Sequence, residues 1–597
     1  MTTDTERDVD PATVEVVQNY LTSAADEMQR TLIRTAYSTI IYEIVDFGIS
    51  LYDRELNLIA DSPGLAMFLG ANDFGIRKSV EYVGEENFDE GDILVTNYPY
   101  WSGGHPNDAI LFKPVFYEEE IVGYGVVRAH WTDIGGKDPG YIHDSTDVHQ
   151  EGLLFPGTKL YKRGEPDEEL MALLRFNSRT PEITLGDLNA QIAALNRGEQ
   201  RLQELYEKYS VDTVEYCLDR ILEHGEQKAR EQIADLPDGQ WVGTNYLDND
   251  GINLDTIVKI ETEVTIDGDS FTVDFSGSDD RTDGPVNLPL GLTESASKVA
   301  LKSITTPTEP SNDGHYEPLS VIAPEDNLFH ATYPAPTFTI WAAFLGVDSI
   351  YQALAQGMPE RVGASSGGDI GDPMFYGRDP ETDEMIVDTT QAAVGWGASS
   401  EHDGANSTLH ISQSRVRNIP IEVMENRLPI RIERAQLRTD SGGAGEYRGG
   451  LGSRRDYRLL EPFNALINVK KTKTEGWGLE GGSPGKKNVG VLFPHDGDTD
   501  ALAERINILA DNDSLYNEPD DRKMVGMFRG PFETDDVISY RAGGGGGYGE
   551  PFDRPPEKVR EDVIDGYVTR EAAREEYGVV ITESMEIDQE ATEQLRS

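Results

Sequence analysis

The chain has 597 residues, 38% of them hydrophobic and 9% aromatic, which is long enough for two to four folded units and too apolar for a disordered protein. Asp and Glu number 108 against 52 Lys and Arg, for a formal net charge of −56. That charge excludes nucleic acids and anionic membranes as partners, because they repel a polyanion. The acidic residues are spread evenly among apolar ones, which predicts a folded, halophilic protein whose acidic surface suits a salt-rich cytoplasm.

The N-terminal sequence and the cysteine content also indicate a cytoplasmic protein. The N-terminal sequence MTTDTERDVDPATVE is acidic, whereas a secretory signal is basic and then apolar. No apolar run approaches the roughly 18 residues of a membrane helix. Cys217 is the only cysteine, which excludes disulfides and a thiolate zinc site, and its amphipathic surroundings predict a core position. We therefore expect a cytoplasmic protein without a membrane span.

In chain order, the first predicted element is a helix whose apolar residues recur every three or four positions from Val14 to Ala36. The next patterns are strands at 47–60, strands around a glycine-rich loop at 91–130, helices at 183–235, strands at 237–276, a helix near 291–304, and short helices and loops to about 400. Residues 419–550 are β-rich with many turn glycines.

Two short helices are predicted in the tail, one ending at Gly566 and one running from an N-cap at Thr569 to Gly578. These patterns together predict a large α+β fold of several units, with helical N-terminal segments, mixed sheets and a β-rich C-terminal part. The predicted regions are an N-terminal metal-bearing region at 1–235, a central α/β region at 236–410, a β-rich region at 411–550 and a helical tail at 551–597.

The stretch from residue 103 to 136 is the part of the chain richest in metal-binding and catalytic chemistry. His105 and Asp108 are three positions apart in a glycine-rich loop, and His130 and Asp133 close the strand that follows. Imidazole nitrogens and carboxylate oxygens are ligands of borderline divalent metals, and the ends of adjacent strands lie together. The pattern indicates a metal site, and the alternative is that both histidines are structural residues with satisfied hydrogen bonds.

Three glycine-rich motifs fail as functional sites. GASSG around Ser365 lacks the helix that follows a nucleophile elbow. In EGGSPGKK at 480–487, Glu480 and Lys487 replace the glycine and the hydroxyl residue of a phosphate loop. GGGGGYG at 543–549 lacks the strand and the acidic partner of a dinucleotide motif. The sequence therefore contains no nucleotide-binding motif.

From about residue 11 to 581 the chain resembles the hydantoinase B family. Relatives of that family include the metal-carrying subunits of acetone carboxylase and N-methylhydantoinase and the C-terminal half of eukaryotic 5-oxoprolinase. The segments that carry the resemblance include RTAYSTIIYEIVDFGISLYD, NYPYWSGGHPNDAILFKPVF, RAHWTDIGG, QEGLLFPGTKLY, RTPEITLGDLNAQIAA, DFSGSDDRTDGPVN, IPIEVMENRLPIRIERAQLRTDSGGAGEYRGGLGSRRDY and AGGGGGYGEPFDR.

The resemblance implies specific site residues. A loop histidine and aspartate and a strand-end histidine hold the family's metal, and they match His105, Asp108 and His130. Zn, Mn or Fe would suit this set. Asp46 matches a further acidic position near the metal, and Asp133 would orient His130 through its other ring nitrogen.

This chain departs from the family pattern at three places near these ligands. Tyr98 stands where the family has Asp, Trp131 where it has a second His, and Phe68 where it often has His. These replacements remove polar groups, so they favour a larger or more apolar substrate.

The resemblance also implies a reaction and a partner. A hydantoinase A-type subunit would bind ATP and Mg²⁺ and phosphorylate the carbonyl oxygen of a cyclic amide. This chain, as the hydantoinase B-type subunit of a hetero-oligomeric hydantoinase or 5-oxoprolinase, would then open the ring with a metal-activated water, and Asp46 or Asp133 would accept the proton. Two alternatives stay open: the metal subunit of an ATP-dependent acetone or acetophenone carboxylase, and a non-catalytic scaffold for the partner.

Overall fold

The computed structural model describes residues 9–68, 70–368, 371, 373–380, 382–413, 415–511 and 523–597. The fold is α+β, as predicted, with three β-sheets and helices packed against them. Within these residues, no helix combines the length and the apolar character that crossing a lipid bilayer requires.

The first sheet carries the N-terminal half of the site. Its strands are β1 (Phe47–Asp53), β2 (Leu58–Pro63), β3 (Ile93–Thr96), β4 (Asp108–Tyr117), β5 (Glu120–His130), β6 (Thr158–Lys162) and β7 (Glu165–Pro166). The sheet is antiparallel throughout, in the order β2-β1-β5-β4-β3-β6-β7. The helices of this part are α1 (Pro11–Thr35), α2 (Thr39–Tyr42), α3 (Ala71–Val83), α4 (Pro99–Ser102), α5 (Glu168–Asn177), α6 (Pro181–Tyr209) and α7 (Val211–Ala234).

The apolar stripe of α1 packs on this sheet together with α6 and α7. Leu21 and Met28 of α1 lie in one core with Leu195 of α6 and Val127 of β5. Cys217 of α7 is fully buried in the same core, which confirms its predicted position.

The second sheet contains β8 (Gly239–Leu247), β9 (Val258–Asp267), β10 (Ser270–Asp274) and β11 (Leu319–Ile322), in the order β11-β10-β9-β8. Two helices, α8 (Leu290–Thr305) and α9 (Trp341–Ala355), pack against it and share its core. The expectation of only short helices beyond residue 304 was wrong, because α9 has 15 residues. Most of α9 is buried and apolar around its circumference, so it shows no amphipathic stripe in the sequence.

The third sheet contains β12 (Met374–Arg378), β13 (Met385–Thr389), β14 (Ile430–Leu437), β15 (Ser453–Leu459), β16 (Phe463–Asn468), β17 (Val489–Phe493), β18 (Asn507–Asp511), β19 (Lys523–Phe532) and β20 (Val537–Arg541). The order is β13-β12-β16-β19-β17-β20-β15-β14, and β18 also pairs with β19. Helices α10 (Ile421–Arg427) and α11 (Thr499–Arg505) accompany this sheet. Strands β12 and β13 of this sheet lie before residue 411, where the predicted β-rich region begins. The division into four regions stays a prediction.

The C-terminal tail forms α12 (Pro556–Ile564), α13 (Arg570–Glu575) and α14 (Gln589–Arg596). Thr569 caps α13 as predicted, since its side chain accepts a hydrogen bond from the backbone N–H of Ala572. Buried Arg554 anchors the tail: its Nη1 donates to Asp403 at 2.7 Å and its Nε donates to Asp562 at 3.0 Å.

The glycine-rich runs pack against one another in the interior. The backbone N–H of Gly443 donates to the carbonyl of Gly545 at 2.8 Å, and that of Gly545 donates to Gly450 at 2.9 Å. A Cβ atom at Gly545 would lie 1.9 Å from the carbonyl oxygen of Trp396, so only glycine fits there. The run at 543–549 therefore serves close backbone packing.

Candidate metal centre

The ends of three neighbouring strands, β1, β4 and β5, meet at one edge of the first sheet. Asp108 is the first residue of β4 and pairs directly with His130, the last residue of β5. On the other side of β5, Phe47 of β1 pairs with Ala129, so Asp46 lies next to His130. Because adjacent antiparallel strands begin and end side by side, residues distant in the sequence meet at this edge.

His105 reaches the same point from the loop between α4 and β4. A turn joins the two predicted ligands of this segment, since the N–H of Asp108 donates to the carbonyl of His105 at 2.9 Å. Gly103 ends α4 with a φ of 66°, in the left-handed region that glycine adopts without strain. A Cβ atom at Gly104 would lie 2.6 Å from Oδ2 of Asp108, so glycine lets the backbone pass close to that carboxylate.

The structure brings the three predicted metal ligands together. Oδ1 of Asp108 lies 3.2 Å from Nδ1 of His130 and 3.6 Å from Nε2 of His105. One ligand atom of each residue lies within 4.8 Å of the other two, and all three residues are buried. Oδ2 of Asp46 is 4.0 Å from Nδ1 of His130.

Four buried polar atoms of this cluster have no hydrogen-bond partner among the described residues. They are Oδ1 of Asp46, Nδ1 of His105, Oδ2 of Asp108 and Nε2 of His130. Leaving such atoms unpaired inside a protein is costly, so native proteins rarely do it without a ligand. Two imidazoles and two carboxylates form a donor set that suits Zn²⁺, Mn²⁺ or Fe²⁺, and these residues fit a divalent metal.

Burial and charge set the protonation of the cluster. Burial lowers the pKa of His105 to about 4, so its imidazole is neutral at neutral pH. Burial opposes ionisation of Asp108, but His105 and His130 outweigh this effect and hold the pKa of its carboxyl below the usual value. Burial raises the pKa of Asp46 to about 7. Asp108 is therefore ionised at neutral pH, while Asp46, with a pKa of about 7, titrates there.

Arg128 fixes the loops behind the cluster. It is fully buried on β5, and its Nε donates to Asn72 at 2.9 Å. Its Nη2 donates to the carbonyls of Ala71 and Ser102, which begin α3 and end α4. The guanidinium lies 4.8 Å from the ring centroid of Phe68 and provides positive charge behind the carboxylates.

Asp133 pairs with Arg179 rather than with the histidines of the cluster. Its Oδ1 accepts a hydrogen bond from Nη1 of Arg179 at 2.7 Å, and its Oδ2 accepts one from the backbone N–H of Arg179. Among the described residues it makes no hydrogen bond with the His130 ring. These contacts favour a structural role, and the catalytic role of Asp133 stays a prediction.

An enclosed cavity lies against the cluster and has Asp46, His105 and Asp108 in its wall. Its aromatic lining consists of Phe68, Tyr141, Phe338, Trp341 and Phe344. The His105 ring stacks on Phe338 with centroids 4.9 Å apart. The cavity has room for about one water-sized ligand, so a larger molecule binds only after lining side chains move.

Of the three departures from the family pattern, Phe68 lies in this lining. The indole N–H of Trp131 instead donates to Gln191 at 2.7 Å within the N-terminal core, and Tyr98 packs on Tyr100 and Trp101. The hydroxyl of Ser365 donates to the backbone carbonyl of Ser366 and not to a base, unlike the hydroxyl of a serine nucleophile.

Sequence reasoning missed the cavity residues from the second half of the chain. They include the two amide side chains Gln391 and Gln413 and the three aromatic side chains Phe338, Trp341 and Phe344. No periodicity or spacing in the sequence marks them as neighbours of His105, because packing of distant segments brings them together.

Solved structures share this fold over nearly the whole chain. The crystal structure of ATP-dependent caprolactamase from Pseudomonas jessenii has a TM-score of 0.88 and 30% identity, covering 99% of this chain and 100% of that one. A nucleotide-free structure of acetone carboxylase has a TM-score of 0.88 at 21% identity, covering 99% and 83%, which shows the fold alone. The fold is thus the one found in these two ATP-dependent enzymes.

The sequence comparison identifies the family. Residues 10–551 match the family model described as Hydantoinase B/oxoprolinase. The caprolactamase beta subunit from Pseudomonas jessenii is 33% identical over 602 residues, which cover 98% of each chain. The chain belongs to the hydantoinase B/oxoprolinase family, as its motifs predicted.

Proposed function

We propose that this chain is the metal-binding, hydantoinase B-type subunit of an ATP-dependent cyclic amide hydrolase of the hydantoinase or 5-oxoprolinase type. The observation that carries the proposal is the buried cluster of His105, Asp108 and His130. It contains nitrogen and oxygen atoms without a hydrogen-bond partner among the described residues, and His105 and Asp108 line an enclosed cavity. Family membership and similarity to the caprolactamase beta chain support the reaction class.

The residues of this chain have distinct roles in that reaction. His105, Asp108 and His130 would hold a divalent metal, which when bound would polarise a carbonyl and lower the pKa of water. Asp46 accepts the proton of the attacking water. Its pKa of about 7 suits a base at neutral pH, and its Oδ1 has no hydrogen-bond partner among the described residues. The aromatic lining excludes bulk water, so a phosphorylated intermediate is protected from hydrolysis by solvent.

A hydantoinase A-type partner supplies the nucleotide chemistry. The relative from Pseudomonas jessenii is named as a beta chain, which supports an enzyme of more than one kind of chain. In this chain the glycine-rich runs pack against other backbone segments, which supports placing ATP and Mg²⁺ on the partner. We therefore propose a cytoplasmic hetero-oligomer in which phosphorylation and ring opening take place on different subunits.

The test is phosphate release from ATP by the chain co-purified with its partner in high-salt buffer. Cyclic amides without bicarbonate are compared with small ketones plus bicarbonate. Release that depends on the cyclic amide, with a ring-opened product, supports the proposal. Release that requires ketone and bicarbonate together would replace it with a carboxylase, and stable binding of the partner by a metal-free chain with no turnover would leave only a scaffold.

A matched pair of histidine variants tests the metal cluster within the same assay. His105→Ala removes a buried ligand, so turnover and bound metal should both be lost while the circular dichroism spectrum is kept. His224→Ala changes an exposed histidine of α7 and should leave both unchanged. Activity in His105→Ala equal to that of the unmodified complex would refute the role of the cluster.

A further inference from the structure

Two glutamine side chains line the cavity beside the candidate metal centre. Gln391 and Gln413 are only 6% and 3% exposed, and both share the cavity wall with His105 and Asp108. The Oε1 atom of each has no hydrogen-bond partner among the described residues. A buried primary amide with an unpaired oxygen is unfavourable, since each carboxamide can make several hydrogen bonds.

The backbone around each glutamine is held by its own contacts. The N–H of Gln413 donates to the carbonyl of His410 at 2.8 Å, and the ring of His410 lies 3.2 Å from Oδ1 of buried Asp348. Gln391 follows Thr390, whose hydroxyl accepts a hydrogen bond from Arg455 at 3.0 Å. The unpaired oxygens are therefore attached to backbone that neighbouring contacts hold in place.

We propose that Gln391 and Gln413 bind the amide edge of the substrate and select secondary cyclic amides, an inference that rests on the proposed function. A small lactam or hydantoin ring holds its amide in the cis form, so the N–H and the C=O lie on one edge. The carboxamide of a glutamine offers a matching acceptor and donor. The single N–H of a lactam ring supplies the donor that one of the two unpaired Oε1 atoms lacks.

Other ligand classes match these groups less well. A ketone and an N-methyl lactam carry a carbonyl acceptor but no N–H donor, so binding them leaves a buried Oε1 unpaired. Sites that hydrogen-bond a substrate N–H discriminate strongly against analogues without it, because the unmatched group stays buried. The aromatic side chains Phe68, Phe338 and Trp341 then contact the methylene part of the ring once they move aside to admit it.

Removal of the two amides should affect recognition and leave the fold intact. In Gln391→Leu and Gln413→Leu, a shorter apolar group replaces an amide with an unpaired oxygen, so Tm should stay the same or rise. Bound metal, measured by elemental analysis, should be unchanged. Gln391→Met and Gln413→Met serve as second variants if leucine branching disturbs packing, and Gln200→Leu on the exposed face of α6 is the matched control.

The experiment measures binding and turnover separately on the complex with its partner. The probes are ε-caprolactam, N-methylcaprolactam and cyclohexanone, with binding followed by ligand-observed NMR and ring opening by product analysis. We expect the unmodified complex to prefer caprolactam over its N-methyl analogue by about tenfold or more, and the leucine or methionine variants to lose most of that preference. Gln200→Leu should retain it.

Two results would overturn the inference: equal binding of caprolactam and N-methylcaprolactam by the unmodified complex, or an undiminished preference in the glutamine variants. A glutamine-dependent preference for caprolactam without any ring-opened product would support the inference and refute the proposed hydrolase. Binding of cyclohexanone in preference to both lactams would overturn the inference and the hydrolase together.

Discussion

Asp108 and His130 are direct cross-strand partners at the ends of β4 and β5, with Oδ1 of Asp108 3.2 Å from Nδ1 of His130. The other carboxylate oxygen, Oδ2, has no hydrogen-bond partner among the described residues. The backbone of Gly104 passes close to this oxygen. The aspartate is thus bound on one side by an imidazole and left open on the other. A buried carboxylate oxygen without a hydrogen-bond partner favours a metal at this cluster.

The first prediction separates the two buried aspartates of this region. Asp108→Asn should reduce bound metal at least about tenfold, because it removes the anionic ligand. Asp133→Asn should keep the metal but lower stability by about 1–3 kcal/mol, because the carboxylate of Asp133 holds Arg179. Elemental analysis after dialysis and thermal unfolding give the two readouts. Loss of metal in Asp133→Asn would show that Asp133 orients His130 after all.

The second prediction concerns pH and metal affinity. Burial raises the pKa of Asp46 to about 7, and although burial lowers the pKa of His130, its hydrogen bond to Asp108 and the charge of Asp46 outweigh this and raise it. Protons therefore compete with the cation at acidic pH, and apparent affinity should increase as pH rises through about 7 and then level off. Competition with a metal-indicator dye at about pH 6, 7 and 8 measures this.

The Asp46→Asn variant is the control for that titration, since it removes one titrating group without changing the shape of the side chain. Its affinity should change less steeply with pH, by about one proton fewer per metal bound. An affinity that is constant between about pH 6 and 8 in the unmodified protein would contradict the protonation assigned to the cluster.

The third prediction addresses the buried cation behind the site. Arg128→Met removes the donors for Asn72, Ala71 and Ser102 and a buried positive charge near Asp108, so it should lower the free energy of unfolding by about 3–5 kcal/mol. Arg220→Met removes a pair with Glu223 that is more than half exposed, and its effect should stay within about 0.5 kcal/mol. Denaturant titration compares the two, and equal effects would show that Arg128 is not a structural anchor.

The fourth prediction follows from the net charge of −56. At low salt the acidic surface repels itself, and about 1 M salt shortens the Debye length to about 3 Å. Tm should therefore rise by several degrees when KCl increases from about 0.1 to 1 M. Sucrose at equal osmolality, which does not screen charge, should raise Tm less. A Tm that is constant or falls with KCl would contradict the predicted halophilic surface.

The sequence alone predicted the elements with a clear period and proposed the metal ligands that lie close together in the chain. The stripe from Val14 to Ala36 predicted α1, which spans Pro11–Thr35, and the spacing of His105 and Asp108 indicated a metal site. These features are local: a helix or a ligand loop repeats or closes within a few residues, so the pattern is visible without tertiary contacts. The absence of such a stripe in α9 explains why its length was missed.

Only the tertiary structure decided what surrounds those ligands. The register of β1, β5 and β4 places Asp46 beside His130, whereas Asp133, only three residues from His130, turns away to Arg179. Gln391 and Gln413 reach the same cavity from the second half of the chain. Such positions depend on strand pairing and on packing between distant segments, and no local pattern of residues encodes them.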